Sequence, residues 1–437
     1  MSHIDDKRIL LFTYTLHLFA GCVESQTKFL DETTDPTIDR GQSMQEQRDW
    51  VGVWGGPRTR IDSYFAAHAY EQSLRLIISP TLGGETVRLG FSNMYGSRSV
   101  TIGSVKIALS NFIVGDNGSW REVTATVQSE TNTPVRFAGR ATVTIPVSED
   151  VVSDPIRFEF AFGDNLAVSF YVVGENNAPT ITRRCFGSFS TPANSGNRTD
   201  DDTGDSFTEA NIFGFGCPYL NRLDVFRPNT PGTVVVLGDS IVEGAFRADE
   251  GPFDSWPWLM AERLNAAGIL MGVINMGLSG NMITTLSETS TNMAVLLEAA
   301  PIRFDRDVIS QTNVRTVIIS MGINDLRVSE MNPEAIIDGL QQMVDKAHRV
   351  GLRVLIATIP PGALDGCSPG GDDKRRRVND WIRNHTSIEG WLPFDETLRD
   401  PDDIDSIMEE YDTDGDNIHP DIVGKRAMAN AVPLELL

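Results

Sequence analysis

The sequence predicts a three-layer α/β/α domain built on a doubly wound parallel sheet, preceded by an antiparallel β-sandwich. Three observations predict it. The chain has 437 residues, too many for one ordinary core. Between Trp50 and Arg227 the apolar period is close to two, as in half-buried strands. After Pro228 and Pro231 short continuous apolar runs alternate with helical patterns, as in a parallel sheet covered on both faces.

In the first of these regions Val87, Leu89 and Phe91 alternate with polar or small residues, as do Ile156, Phe158 and Phe160, and then Leu166, Val168, Phe170 and Val172. Gly83-Gly84, Gly96-Ser97 and Gly163-Asp164 supply turns between them. Many short strands at this spacing form a sandwich over residues 49–230. The stretch Ser190 to Asp205, rich in Asn, Gly, Ser, Thr and Asp, reads as a long surface loop.

In the second region, residues 231–437, buried strands are expected at Val234–Leu237, Gly272–Asn275, Val314–Ser320, Arg353–Thr358 and Trp391–Phe394. The clearest helix runs from about Pro333 to Val350. Asn332 is its N-cap, Ile336, Leu340, Met343 and Ala347 share one stripe, and Gly351 ends it.

The N-terminus reads as a leader. Lys7 and Arg8 precede an apolar run of about twelve residues, Ile9 to Ala20, too short to span a bilayer. Phe-Ala-Gly-Cys at 19–22 resembles a bacterial lipobox, so residues 1–22 are expected to be a signal peptide, with Cys22 as the point of lipidation if it is of that type. Asp5, Asp6 and His17 fit that pattern poorly and keep a plain N-terminal extension open. Residues 23–48 are polar and acidic, with no apolar period, and read as a flexible tether. The expected product is exported, either secreted or anchored to the cell envelope.

Acidic residues outnumber basic ones by 60 to 37, a net charge of −23, which disfavours nucleic acid and anionic membranes as partners. A lipid on Cys22 is the one route to a membrane that the sequence offers. Of four cysteines, Cys185 and Cys217 share a region and can pair in an oxidising compartment. No CxxC or Cys/His cluster marks a metal site, and no cofactor is expected.

In doubly wound domains the active groups gather at the carboxyl ends of the strands. There stand Gly238-Asp239-Ser240-Ile241-Val242-Glu243-Gly244, then Asn275-Met276-Gly277-Leu278-Ser279-Gly280-Asn281, then Gly322-Ile323-Asn324-Asp325. Asp416-Asn417-Ile418-His419-Pro420 lies near the C-terminus. Acyl transfer by serine needs a base, a partner that orients the base, and donors for the oxyanion. Asp416 and His419 can supply the first two; the N–H groups of Ser240 and Gly280 and the Asn324 amide can supply the third.

With GDSIVEG, NMGLSGN, GIND and DNIHP in this order, the chain resembles the GDSL or SGNH hydrolases, whose fold is flavodoxin-like, over roughly residues 232–435. The resemblance implies Ser240 as nucleophile, Ser240, Gly280 and Asn324 as oxyanion hole, and Asp416 with His419 as base. The Trp-Val-Gly-Val-Trp start, Leu82–Thr101 and Arg303-Phe304-Asp305-Arg306-Asp307 also resemble an esterase branch with a β-rich N-terminal domain, some of it associated with xylan degradation. A carboxylic ester hydrolase for short acyl groups, acetyl above all, on a small-molecule or carbohydrate carrier is thereby implied. A lysophospholipase or thioesterase of the same family, or a carbohydrate-binding protein with an inactive hydrolase domain, are the alternatives.

Two rival motifs are weaker. Gly366-Cys367-Ser368-Pro369-Gly370 fits G-x-S-x-G, but lies in a loop eight residues past its strand, with proline after the serine. Asp412, Asp414 and Asp416 have calcium-loop spacing, but Asn417 and Val423 stand where glycine and glutamate belong.

Overall fold

The computed structural model describes residues 49–60, 68–114, 121–177, 180–183, 185–209, 216–244, 254–284, 297–328, 330–413 and 415–437. The leader, Cys22, the tether and Asp414 lie outside the described residues.

Five strands form one parallel sheet: β1 (Gly232–Gly238), β2 (Met271–Gly277), β3 (Val314–Ser320), β4 (Arg353–Ala357) and β5 (Gly390–Leu392). Their order is β2-β1-β3-β4-β5, and all four pairings are parallel. The chain thus starts inside the sheet, steps to one edge and returns across β1, which places a topological switch beside β1 and β3. Every residue of β1 is buried, because helices cover both faces. The helix expected around residue 340 is α5 of the series α1 (Ser240–Glu243), α2 (Trp256–Ala266), α3 (Ala300–Phe304), α4 (Ile323–Leu326), α5 (Pro333–Arg349), α6 (Gly371–Asn384), α7 (Phe394–Leu398) and α8 (Ile422–Asn430). The Asn332 side chain accepts from Glu334 N–H, and Ile336, Leu340, Met343 and Ala347 are fully buried.

The β-rich part holds antiparallel sheets. One runs Trp50–Gly55, Leu220–Phe226, Gly84–Ser92, Ile156–Phe160; a larger one is centred on His68–Ile78, Leu166–Asn177 and Val100–Val114. Val51, Val87, Leu89 and Phe91 of the first share a core with Leu74, Leu76, Ile107, Val168 and Phe170 of the second. Ile156–Phe160 alternates buried and exposed, as its period of two predicts. Cys185 and Cys217 form a disulfide at the edge of this core.

The Ser190–Asp205 stretch is a surface loop, as its composition predicts, with most of its residues exposed or half-buried. It lies over the outer face of the larger sheet, with Thr191 and Thr199 buried and the Asp201 carbonyl accepting from the buried Arg75. The loop meets that guanidinium through a backbone carbonyl, which composition alone does not reveal.

The two parts pack within one compact unit, Met44–Leu437. The contact covers β2, the edge of the parallel sheet. A lone edge strand leaves N–H and C=O groups unpaired. Here Val273 N–H donates to Thr81 Oγ1 at 2.9 Å, and the Thr81 hydroxyl proton is within reach of Val273 O at 2.8 Å and Val53 O at 2.9 Å. Gly52 N–H donates to Thr233 Oγ1 of β1. The backbones approach so closely that a Cβ on Gly272 would sit 2.0 Å from Gly52 O.

Candidate active site

At the end of β1, Asp239 leaves the strand in an extended conformation and caps α1, its carboxylate accepting from Ile241 N–H at 3.0 Å. Ser240 is therefore the first residue of a helix, at the carboxyl edge of the sheet, and it is 5% exposed. Far along the chain, the turn before α8 returns to the same edge. Its Asp416 Oδ1 accepts from Ile418 N–H and His419 N–H, both at 2.8 Å, so the carboxylate is fixed before it meets the ring.

Asp416 Oδ2 lies 2.6 Å from His419 Nδ1, and His419 Nε2 lies 2.9 Å from Ser240 Oγ. An ionised carboxylate can only accept, so Nδ1 carries the proton and Nε2 is left to accept the serine proton. Burial works to raise the Asp416 pKa, but the hydrogen bonds from His419 N–H, its ring and Ile418 N–H outweigh it and hold the carboxyl below its ordinary value. The arrangement can deprotonate the serine as it attacks and stabilise the imidazolium that results.

Gly280 occupies a tight turn closed by Asn281 N–H donating to Leu278 O at 2.9 Å, and its φ of 74° is a conformation that favours glycine. The N–H groups of Ser240 and Gly280 donate to no protein acceptor among the described residues. Asn324, on α4 at the end of β3, donates one amide hydrogen to Asn281 O at 3.0 Å, which ties it to that same turn. The turn is tied to the strand that precedes Ser240 as well, since Leu278 N–H donates to Gly238 O at 3.0 Å. Three segments separated by about 40 residues each are thus joined around Ser240.

Several residues that hold this site carried no role in the sequence reading, although Asp239, Glu243, Asn281 and Asp325 lie in its motif blocks. Glu243, on α1, accepts Ser279 N–H at 2.7 Å and also the Ser279 hydroxyl. Asp325 accepts Ile283 N–H, Thr284 N–H and the Thr284 hydroxyl, pinning the chain that follows the turn. Asn281 accepts from Arg303 Nε and donates to Glu298 O. Burial raises the Asp239 carboxyl to about 7, with Ile241 N–H acting against it and the nearby Asp325 adding to it; burial raises Asp325 too. A buried carboxylate next to the candidate nucleophile is a signal in retrospect, but its donor is a backbone N–H group that no motif names.

The Gly366–Gly370 motif lies elsewhere, and the Asp412–Asp416 motif serves the turn that carries His419. Ser368 is fully buried, 3.4 Å from Val328 O. Asp412 accepts Asn417 N–H at 2.7 Å, which shapes the turn leading to His419, and Asp416 is engaged with the ring. His348 faces Glu389, and His385 stacks on Trp381.

Residues 236–427 match the model of the GDSL-like Lipase/Acylhydrolase family. No curated protein matches the chain. Solved structures similar to part of it include a carbohydrate acetylesterase from Sinorhizobium meliloti, 20% identical, covering 46% of this chain and 95% of that one with a TM-score of 0.35. An aryl esterase from M. smegmatis is 20% identical over 46% of this chain and 95% of its own, with a TM-score of 0.36. An acetylxylan esterase from Geobacillus stearothermophilus is 20% identical over 46% and 92%, with a TM-score of 0.34. The family match carries the assignment: residues 236–427 are a domain of the GDSL-like lipase and acylhydrolase family, hydrolases of the esterase and lipase kind.

Proposed function

We propose that the chain is an exported carboxylic ester hydrolase that works through an acyl-enzyme on Ser240. The observation that carries this reading is the continuous hydrogen-bonded line from Ser240 Oγ through His419 to Asp416. His419 Nε2 takes the serine proton as Oγ attacks the ester carbonyl, and the N–H groups of Ser240 and Gly280 with the Asn324 amide receive the negative oxygen. The imidazolium then protonates the departing alcohol. Water attacks the acyl-enzyme by the same route in reverse, and no cofactor is needed.

The acyl group we favour is short, acetyl first, carried on a small molecule or a carbohydrate; this rests on the sequence resemblance. We read the β-rich part as a sandwich, with 49–230 and 231–437 as the two domains. The disulfide between Cys185 and Cys217 supports export, since such bonds persist in oxidising compartments.

The test is hydrolysis of p-nitrophenyl acetate by the parent chain and by Ser240→Ala, together with covalent labelling by a fluorophosphonate. We expect labelling of Ser240 and a fall in kcat of about 10⁴-fold or more in the variant. Comparable hydrolysis by Ser240→Ala would overturn the mechanism. A rate that rises with acyl length would instead favour a lysophospholipase or thioesterase, and glycan capture by a chain that is never labelled would favour a binding protein.

A further inference from the structure

Arg303 is wholly buried, and its hydrogen bonds reach the scaffold on which the proposed oxyanion donors stand. Nε donates to Asn281 Oδ1 at 2.9 Å, Nη2 to Gly238 O at 3.0 Å, and Nη1 to Met276 O at 3.1 Å. Gly238 is the last residue of β1, two before Ser240; Met276 is near the end of β2; and Asn281 follows Gly280 and receives the Asn324 amide on its carbonyl. One planar guanidinium therefore fixes the ends of both strands and the turn between the donors.

The cation does not stand alone. Asp307 Oδ2 accepts from Arg303 Nη1 at 3.2 Å and from Arg306 Nη2 at 3.0 Å, while its Oδ1 accepts from Arg306 Nε at 2.8 Å. Arg306 Nη1 in turn donates to the Tyr95 hydroxyl at 2.9 Å and meets Glu298 Oε2. Tyr95 belongs to the β-rich part, and the Glu298 carbonyl accepts from Asn281 Nδ2 at 2.8 Å. The line runs unbroken from Tyr95 through Arg306, Asp307 and Arg303 to Asn281.

The geometry points to Arg303 as a positioning residue for the oxyanion donors Gly280 and Asn324, and to Tyr95 as the residue through which the β-rich part sets that position. This rests on the ester-hydrolase reading above. Donor placement matters steeply, because hydrogen bonds aimed at the developing charge lower the barrier only within a few tenths of an ångström of their best geometry. Neither residue touches the reacting atoms, so both act on turnover and leave ground-state binding of a small ester nearly unchanged.

The experiment compares the full-length parent, Tyr95→Phe, Arg303→Lys and the double variant on p-nitrophenyl acetate. Rates are divided by the concentration of sites labelled with a fluorophosphonate, and each variant's thermal midpoint is recorded. Tyr95→Phe removes one hydroxyl from a half-buried position and is expected to fold, with kcat per labelled site reduced about 3- to 10-fold and KM within about twofold. Arg303→Lys is expected to lose about 10- to 100-fold in kcat with KM again little changed, and the double variant to lose less than the product of the two. A merely structural role would lower the thermal midpoint and the number of labelled sites, but leave kcat per site intact. The inference is overturned if Tyr95→Phe keeps its per-site kcat, and equally if losses in the two variants simply multiply. If Arg303→Lys yields no folded protein, Tyr95→Phe decides by the same criterion. Absence of labelling in the parent chain would be a different failure, that of the serine mechanism itself.

Discussion

Two buried arginines, one in each part of the molecule, do the same mechanical task with different consequences. Arg75 donates to Ser169 Oγ at 2.7 Å, to Asp201 O at 2.7 Å and to Ala125 O, and stacks 4.3 Å from the Phe207 ring. Arg303 donates to two strand-end carbonyls and to Asn281, and also pairs with Asp307. Each gathers polar groups from segments distant in sequence, which a fork of five donors does better than any other side chain.

The surroundings differ in charge. Arg75 has only neutral atoms as hydrogen-bond acceptors, and burial pushes its guanidinium down to about 10, with the charges of Asp201 and Asp202 acting against it. Burial lowers Arg303 as well, but Asp307 opposes that directly by charge and by hydrogen bond. In the β-rich part the arginine fastens a loop to a sheet; in the α/β part it fastens the turn beside Ser240, the proposed nucleophile. On the proposed mechanism, location in the fold, more than residue chemistry, is expected to decide whether such a staple affects stability or rate.

That contrast can be broken from either side. At the site, Asn324→Ala removes one proposed oxyanion donor together with its tie to Asn281 O. We expect kcat to fall about a hundredfold, some 3 kcal/mol, with the unfolding midpoint close to the parent's. A fall of less than threefold would remove Asn324 from the oxyanion hole. In the β-rich part, Arg75→Leu leaves Ala125 O and Asp201 O without their donor under the Ser190–Asp205 loop. It is expected to cost about 2 kcal/mol in denaturant unfolding while kcat per labelled serine stays at the parental value. A loss of per-site activity in that variant would erase the distinction drawn between the two arginines.

The contact between the parts provides a smaller effect. Thr81→Val keeps the side-chain shape and removes the hydroxyl that serves Val273 N–H on the side of β2 facing the β-rich part. A cost of about 1 kcal/mol in unfolding free energy is expected. Unchanged stability would mean that β2 does not depend on the β-rich part for its edge.

How much of this was legible beforehand follows from which interactions are local. The five parallel strands fall within a residue or two of the apolar runs, because a strand buried on both faces must be apolar throughout, and α5 declares itself through Asn332, Pro333 and its stripe. Gly280 and Asp416 stand where short-range geometry demands them: a left-handed turn, and a carboxylate three residues before an imidazole. The fastening of the site was not legible. Glu243 binds a turn 36 residues away, Asp325 a segment 41 and 42 away, and Arg303 a carbonyl 65 away, and in each case the partner includes backbone, which has no letter in the sequence. The Ser190–Asp205 loop was legible as a surface loop, but its tie to the sheet was not, for the same reason: Arg75 beneath it binds the Asp201 carbonyl, so nothing in the loop's own residues announces that contact.

The last prediction compares the buried Asp239 carboxyl beside Ser240 with the same residue in the unfolded chain. Burial raises Asp239 to about 7 in the fold, with Ile241 N–H opposing and Asp325 adding to the rise. An unfolded aspartate titrates near ~3.9. Between these pH values the folded protein keeps a proton that the unfolded chain has released, so the contribution of Asp239 to stability declines as pH rises through that window and is constant above it. Asp239→Asn cannot ionise, and its side-chain oxygen can still accept Ile241 N–H, so the cap on α1 persists without the pH dependence. The difference in unfolding free energy, variant minus parent, is therefore expected to be small near pH 4, to grow in favour of the variant as pH rises, and to level off above about 7. Denaturant titrations at a series of pH values measure it directly. A difference that is flat, or that shrinks with rising pH, would show that Asp239 is ionised within the fold and that Ile241 N–H and the Arg303 charge outweigh its burial.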